Sequence, residues 1–189
     1  MIQLDPTPIK QAPINIIMAG QSNMVGYGNL SELPNFPEAF KVKMVKGSSL
    51  IDGAEPTHSG GYASCGLAFA GEFNREVNLI PVAVGGTSIS QWQKGGSLYS
   101  NMISKASVVG DIDGMIFYQG EADCNSLSNA NNWDERFTSF VSDLRADLGN
   151  IPVVFAQLAT KPAGATGRPY FNNLKASQAN VSISDVSMI

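Results

Sequence analysis

Apolar residues cluster in five short runs along the chain, at 14–19, 79–84, 114–118, 152–158 and 186–189. They are rich in Val, Ile and Phe and show little polar alternation. That pattern predicts strands buried on both faces of a parallel sheet. Between them the period changes to that of a helix. In 131–149, Trp133, Phe137, Phe140, Val141, Leu144 and Leu148 fall on one face, and Gly149 supplies a stop. Residues 66–77 predict a second helix, with Leu67, Phe69, Ala70 and Phe73 on a broad face, and 170–181 predict a weaker third. The stretch 40–55 reads as an excursion built as a small hairpin. Residues 1–13 carry three prolines and read as an extended arm before a domain at 14–189. Strands alternating with helices predict an α/β fold: a five-stranded parallel sheet with right-handed crossovers.

A length of 189 residues suits one domain with a substantial core. With 15% charged residues and a net charge of −4, the composition is globular. No basic stripe is present to hold phosphates, which argues against nucleic acid and anionic membranes as partners. The N-terminal stretch lacks the pattern of a signal peptide, and no apolar window is long enough to span a bilayer. The location is left open by the sequence, and a cytoplasmic and a virion-associated one are both compatible with it. Cys65 and Cys124 lie 59 residues apart without metal-type spacing and read as two thiols. No metal or cofactor is expected.

Sites in open α/β sheets form beyond the carboxyl ends of the strands, so the polar residues there matter most. The first strand runs into Gly-Gln-Ser-Asn-Met (20–24), the second into Gly-Gly-Thr-Ser-Ile-Ser-Gln-Trp (85–92), the third into Gln-Gly-Glu-Ala-Asp-Cys (119–124). Taken singly, Ser22 is an ordinary helix cap, 85–88 an ordinary turn, and Glu121 with Asp123 an ordinary solvated or capping pair. Their joint placement at three strand ends points to acyl transfer. A serine at a sharp turn projects its hydroxyl into a cleft, and its own N–H faces developing negative charge. A glycine at the next strand end, Gly85 or Gly86, admits a second N–H, and the Gln119 amide offers a third donor.

These segments resemble the sialate O-acetylesterase-like (SASA) branch of the SGNH hydrolase superfamily. The segment 55–73, with Glu-Pro-Thr-His followed by a Gly-rich helix start, and the segment 171–178 resemble it too. The resemblance implies a flavodoxin-like three-layer α/β/α sandwich and a serine esterase that removes acetyl groups from carbohydrates. It implies Ser22 as nucleophile, an oxyanion hole from Ser22, Gly85 or Gly86 and Gln119, and Glu121 bracing the site. Gln21, Asn23 and Trp92 are expected to touch substrate, and Tyr118 is a further candidate for the sugar site.

The 189 residues contain no Asp-x-x-His, the block that supplies the superfamily's base near the C-terminus. Their one histidine, His58, is a weak candidate for that role. The expectation is a domain lacking its C-terminal end, with a second copy or another polypeptide covering the sheet where a final helix would lie. The competing reading is a carbohydrate-binding or structural module, for example viral, that keeps the pocket without turnover. A nucleotide-binding reading is disfavoured because Gly-x-Gly-x-x-Gly spacing is missing after the first strand.

Overall fold

The computed structural model describes residues 11–29, 31, 42–53, 64–73, 75–160 and 167–189. The arm at 1–10, the Glu55–His58 stretch and the side chain of Leu67 lie outside the described residues. The strands are β1 (Ile14–Gly20), β2 (Val42–Lys46), β3 (Ser49–Asp52), β4 (Val77–Pro81), β5 (Gly114–Tyr118), β6 (Val153–Phe155) and β7 (Val186–Met188). The helices are α1 (Ser22–Val25), α2 (Gly66–Gly71), α3 (Ser97–Ala106), α4 (Leu127–Asn131), α5 (Trp133–Leu148) and α6 (Phe171–Asn180).

Among the described residues one sheet of seven strands runs in the order β3-β2-β4-β1-β5-β6-β7. All neighbours are parallel except β2 and β3, which form an antiparallel hairpin. The expectation of five strands is therefore corrected to seven. The five apolar runs each contain or overlap a strand, and the hairpin at 42–52 adds two more by joining the sheet edge through β2 and β4. That hairpin was hard to read as sheet because β3 is exposed at every position.

Side chains of β1 alternate between two cores. Ile17 and Ala19 join Trp92, Met102, Phe117, Trp133, Phe137 and Phe140 on the face covered by α3, α5 and α6. Ile14, Ile16 and Met18 join Met24, Ala70, Val77 and Leu79 on the other face. A strand buried on both sides needs apolar residues at every step, which explains the unbroken runs. The result is the expected α/β/α sandwich. The helix predicted over 66–77 is shorter, at Gly66–Gly71, because Val77 already belongs to β4. Helix α3, which the apolar pattern did not bring out, buries Tyr99, Met102 and Ala106 from a Ser- and Asn-containing segment.

Strand β1 is central, with β4 on one side and β5 on the other. Successive crossovers leave it in opposite directions. Its carboxyl end is therefore the switch point at which the polar loops of three adjacent strands meet.

Candidate active site

The turn after β1 is fixed by a close approach of two backbones. Gly20 pairs with Tyr118 of β5 and has φ +130. A Cβ there would lie 2.1 Å from the Tyr118 carbonyl oxygen, so only glycine fits. The Gln21 N–H then donates to that carbonyl at 2.9 Å, and the chain turns into α1 with Ser22 as its first residue. At the third strand end Gly120 has φ +150, and a Cβ there would sit 2.7 Å from Leu174 Cδ2.

The three loops are bonded to one another. Gln21, buried at 3% exposure, accepts the Ala122 N–H on its Oε1 at 3.2 Å. The Asn23 Nδ2 donates to Glu121 Oε1. Val84 N–H donates to the Gly20 carbonyl at 2.9 Å, carrying the β4 ladder past Pro81. The Gln119 Nε2 donates to the Thr87 carbonyl at 2.9 Å and to Asp123 Oδ2 at 2.5 Å. Asp123 Oδ2 also accepts the Ile89 N–H at 3.0 Å. Thr87 Oγ1 donates to the Val84 carbonyl at 2.8 Å and accepts from the Trp92 indole at 3.1 Å.

Ser22 and Gly85 face each other across this knot. A Cβ on Gly85 would lie 3.8 Å from the Ser22 Cβ, whereas nothing lies within 4 Å of one on Gly86. Neither the Ser22 N–H nor the Gly85 N–H has an acceptor among the described residues. Ser22 is partly exposed and Gly85 exposed. A half-open serine beside two uncommitted amides is an arrangement that can bind an oxyanion.

Two expected site residues belong instead to the scaffold. Gln119 is fully buried, and both its amide protons are spent on Thr87 and Asp123. The Trp133 indole donates to its Oε1 at 2.7 Å, which fixes the orientation of the amide. It therefore has no donor left for an oxyanion. Trp92 is fully buried, packed edge-on against Phe117 and Phe140, and is a core residue rather than a platform for a sugar. Gln21 has its carbonyl taken by Ala122. His58 lies outside the described residues.

Asn23 is exposed, and with Tyr27, Gly28, Ser64, Cys65 and Tyr118 it lines an open cleft of about 430 Å³. That volume is in the range that holds small ligands. Ser64 and Cys65 fall in the 55–73 segment that carries part of the resemblance, without a mark of their own as site residues, and Tyr27 and Gly28 follow the serine turn with no motif of their own. Cys65 and Cys124 form no disulfide.

Two buried carboxylates lie on the third loop. Burial pushes the Glu121 carboxyl above the usual range, opposed by a backbone N–H, the charge of Arg168 and the Asn23 hydrogen bond. Its Oε2 is buried and has no partner among the described residues. Burial likewise pushes Asp123 up, opposed by the Gln119 amide and the Ile89 N–H. Taken singly the two read as a solvated or capping pair, with Glu121 expected from the resemblance to brace the site; both are buried, at 5% and 0% exposure. Burial raises the Tyr118 hydroxyl as well, helped by the charge of Glu121. Among the described residues no group of His, Cys, Asp and Glu is placed to hold a metal, and no helix is long and apolar enough to cross a membrane.

A mostly parallel sheet with a serine turn at its switch point, approached by Gly85 of the next loop, defines an α/β sandwich with its polar residues gathered at one rim. The chain belongs to the SASA family, described as carbohydrate esterase, sialic acid-specific acetylesterase, whose profile matches residues 14–189. It is thus placed among carboxylic-ester hydrolases acting on carbohydrates. It is 25% identical over 214 residues to the probable carbohydrate esterase At4g34215 of Arabidopsis thaliana, covering 95% of this chain and 81% of that protein. The solved structure of the Arabidopsis protein superposes with a TM-score of 0.78 at 24% identity, over 94% of this chain and 85% of that one. XAC1771, a carbohydrate acetylesterase from Xanthomonas citri, gives 0.67 at 20% identity, over 93% of this chain and 49% of that one. NanS gives 0.68 at 15% identity, over 93% and 76%.

Proposed function

We propose that the chain is a serine esterase that removes acetyl groups from O-acetylated carbohydrates, with Ser22 as the nucleophile. The observation that carries this reading is the approach of Ser22 and Gly85, where a Cβ on the glycine would lie 3.8 Å from the Ser22 Cβ and neither residue's N–H has an acceptor among the described residues. Attack of the Ser22 hydroxyl on the ester carbonyl converts that carbonyl to an oxyanion. The Ser22 and Gly85 amides then act as its two donors, the role first expected to include Gln119. The alkoxide of the sugar leaves with a proton, and water releases acetate from Ser22. Asn23, held by Glu121, and Tyr118 form the wall against which the sugar lies.

Removal of the serine proton needs a base within hydrogen-bond reach. His58 is the one histidine of the 189 residues, and it is tested directly beside the serine. Hydrolysis of p-nitrophenyl acetate and of an O-acetylated sialic acid is measured for the wild type, Ser22→Ala and His58→Ala. The reading expects Ser22→Ala to lose at least about 1000-fold in kcat, in the range seen when an activated nucleophile is removed. Equal background rates for wild type and Ser22→Ala would overturn it and favour a carbohydrate-binding module. Undiminished turnover in His58→Ala would exclude that histidine as the base.

A further inference from the structure

We propose that Asp123 is a positioning residue that sets the Gly85 N–H against Ser22. Thr87 and Ile89, within four residues of Gly85, are held from outside their own loop. Gln119 Nε2 grips the Thr87 carbonyl at 2.9 Å, and Asp123 Oδ2 grips the Ile89 N–H at 3.0 Å. Asp123 Oδ2 also receives Gln119 Nε2 at 2.5 Å, so one carboxylate oxygen ties both grips together. Trp133 fixes the far side of that amide.

The Asp123 side chain is fully buried, and its second oxygen, Oδ1, has no partner among the described residues. The local bonds of this loop, Thr87 with Val84 and Trp92 and the Ser88–Gln91 capping pair, stay within the segment, and the buried carboxylate of Asp123, with the Gln119 amide, ties it to the third strand end at a desolvation cost. Both bonds to Asp123 land on the oxygen that faces the loop, and none of the other residues described meets the opposite oxygen. The placement of that one oxygen is what the loop uses. A displacement of Gly85 by a fraction of an ångström would weaken a donor made only to the developing oxyanion, and so lowers turnover rather than substrate affinity.

The inference rests on the Ser22 and Gly85 reading above, and the experiment separates the two. Esterase kinetics and melting temperature are measured for wild type, Asp123→Ala, Asp123→Asn and Asn78→Ala. Asn78 is buried at the opposite, amino-terminal end of β4, bonded to Asn15 at 2.7 Å, and serves as a destabilised control remote from the loop. Asp123→Ala is expected to lower kcat about 10- to 100-fold, below the full loss of an oxyanion donor, with KM within about twofold. Asp123→Asn can present one carbonyl oxygen to both donors and is expected to keep kcat within about threefold. Asn78→Ala is expected to melt lower with kcat unchanged. Asp123→Ala with kcat within threefold of wild type would overturn the proposal, as would Asp123→Asn falling as far as Asp123→Ala. A wild type without Ser22-dependent turnover would overturn the parent reading along with it. Should Asp123→Ala not fold, amide exchange on the wild type decides. The Ile89 amide is expected to exchange at least about 100-fold more slowly than those of Gly85 and Gly86. Equal exchange would overturn the proposal.

Discussion

Ser22 and Gly85 stand face to face, with 3.8 Å between the serine Cβ and the point where a Cβ on the glycine would sit. That is an ordinary contact distance, and the Gly85 φ lies outside the left-handed region. An alanine therefore fits the fold while filling the space beside the hydroxyl. Gly85→Ala is expected to melt within a few degrees of wild type yet lose about 10- to 100-fold in kcat, the size of effect that small misplacements at a reacting centre produce. Calorimetry with steady-state kinetics checks both halves.

Gly20→Ala should behave in the opposite way. Its Cβ would meet the Tyr118 carbonyl at 2.1 Å, at φ +130. Backbone cannot yield there without opening β1 from β5. The substitution is expected to cost at least about 3 kcal/mol, at the top of the overpacking range. Denaturant unfolding, or the loss of soluble protein, measures it.

Trp92 separates a core role from a substrate role. Trp92→Phe removes the indole donor to Thr87 and leaves KM for an acetylated sugar unchanged within about twofold, at a cost of about 1–3 kcal/mol for the lost bond and volume. A large rise in KM with unchanged stability would return Trp92 to the sugar site.

The strand ends and the motifs they carry were legible because β1, β4 and β5 are buried on both faces and so read as unbroken apolar runs. The serine turn was legible because Gly20, Gln21 and Asn23 are each required by a backbone approach or a bond to the third loop. What could not be read was the direction in which a polar side chain points. Gln119 and Trp92 have the composition of a site, but what turns them inward lies on other elements: Thr87 and Trp133 for Gln119, Phe117 and Phe140 for Trp92. The wall formed by Tyr27, Ser64 and Cys65 is assembled from segments far apart in the chain and bears no periodic mark. Strand β3 was obscured for the reverse reason: its residues face solvent, so it lacks the apolar signature of the central strands.

The buried acid beside the cleft has a thermodynamic consequence. The Glu121 carboxyl is raised above its ordinary value of 4.5, chiefly by burial. The folded state therefore holds its proton more tightly than the unfolded chain does. Its contribution to stability is present in full below 4.5 and is lost as pH rises through the raised folded value. The melting temperature of wild type relative to Glu121→Gln should therefore fall as pH rises from 4.5 toward neutrality, and be flat below that. Asn23→Ala removes a bond that holds the carboxyl down, and should extend the sloping region to higher pH. Thermal melts across the pH series test both.

The mutual bonding of the three loops divides the molecule into a chassis and a replaceable wall. Ser22 is aligned by three loops bonded to one another at the strand ends, whereas Tyr27, Gly28 and Cys65, which line the cleft, come from segments outside those three loops. On the proposed reading, substitutions among these lining residues are expected to change which acetylated sugar is accepted while the alignment of Ser22 is kept.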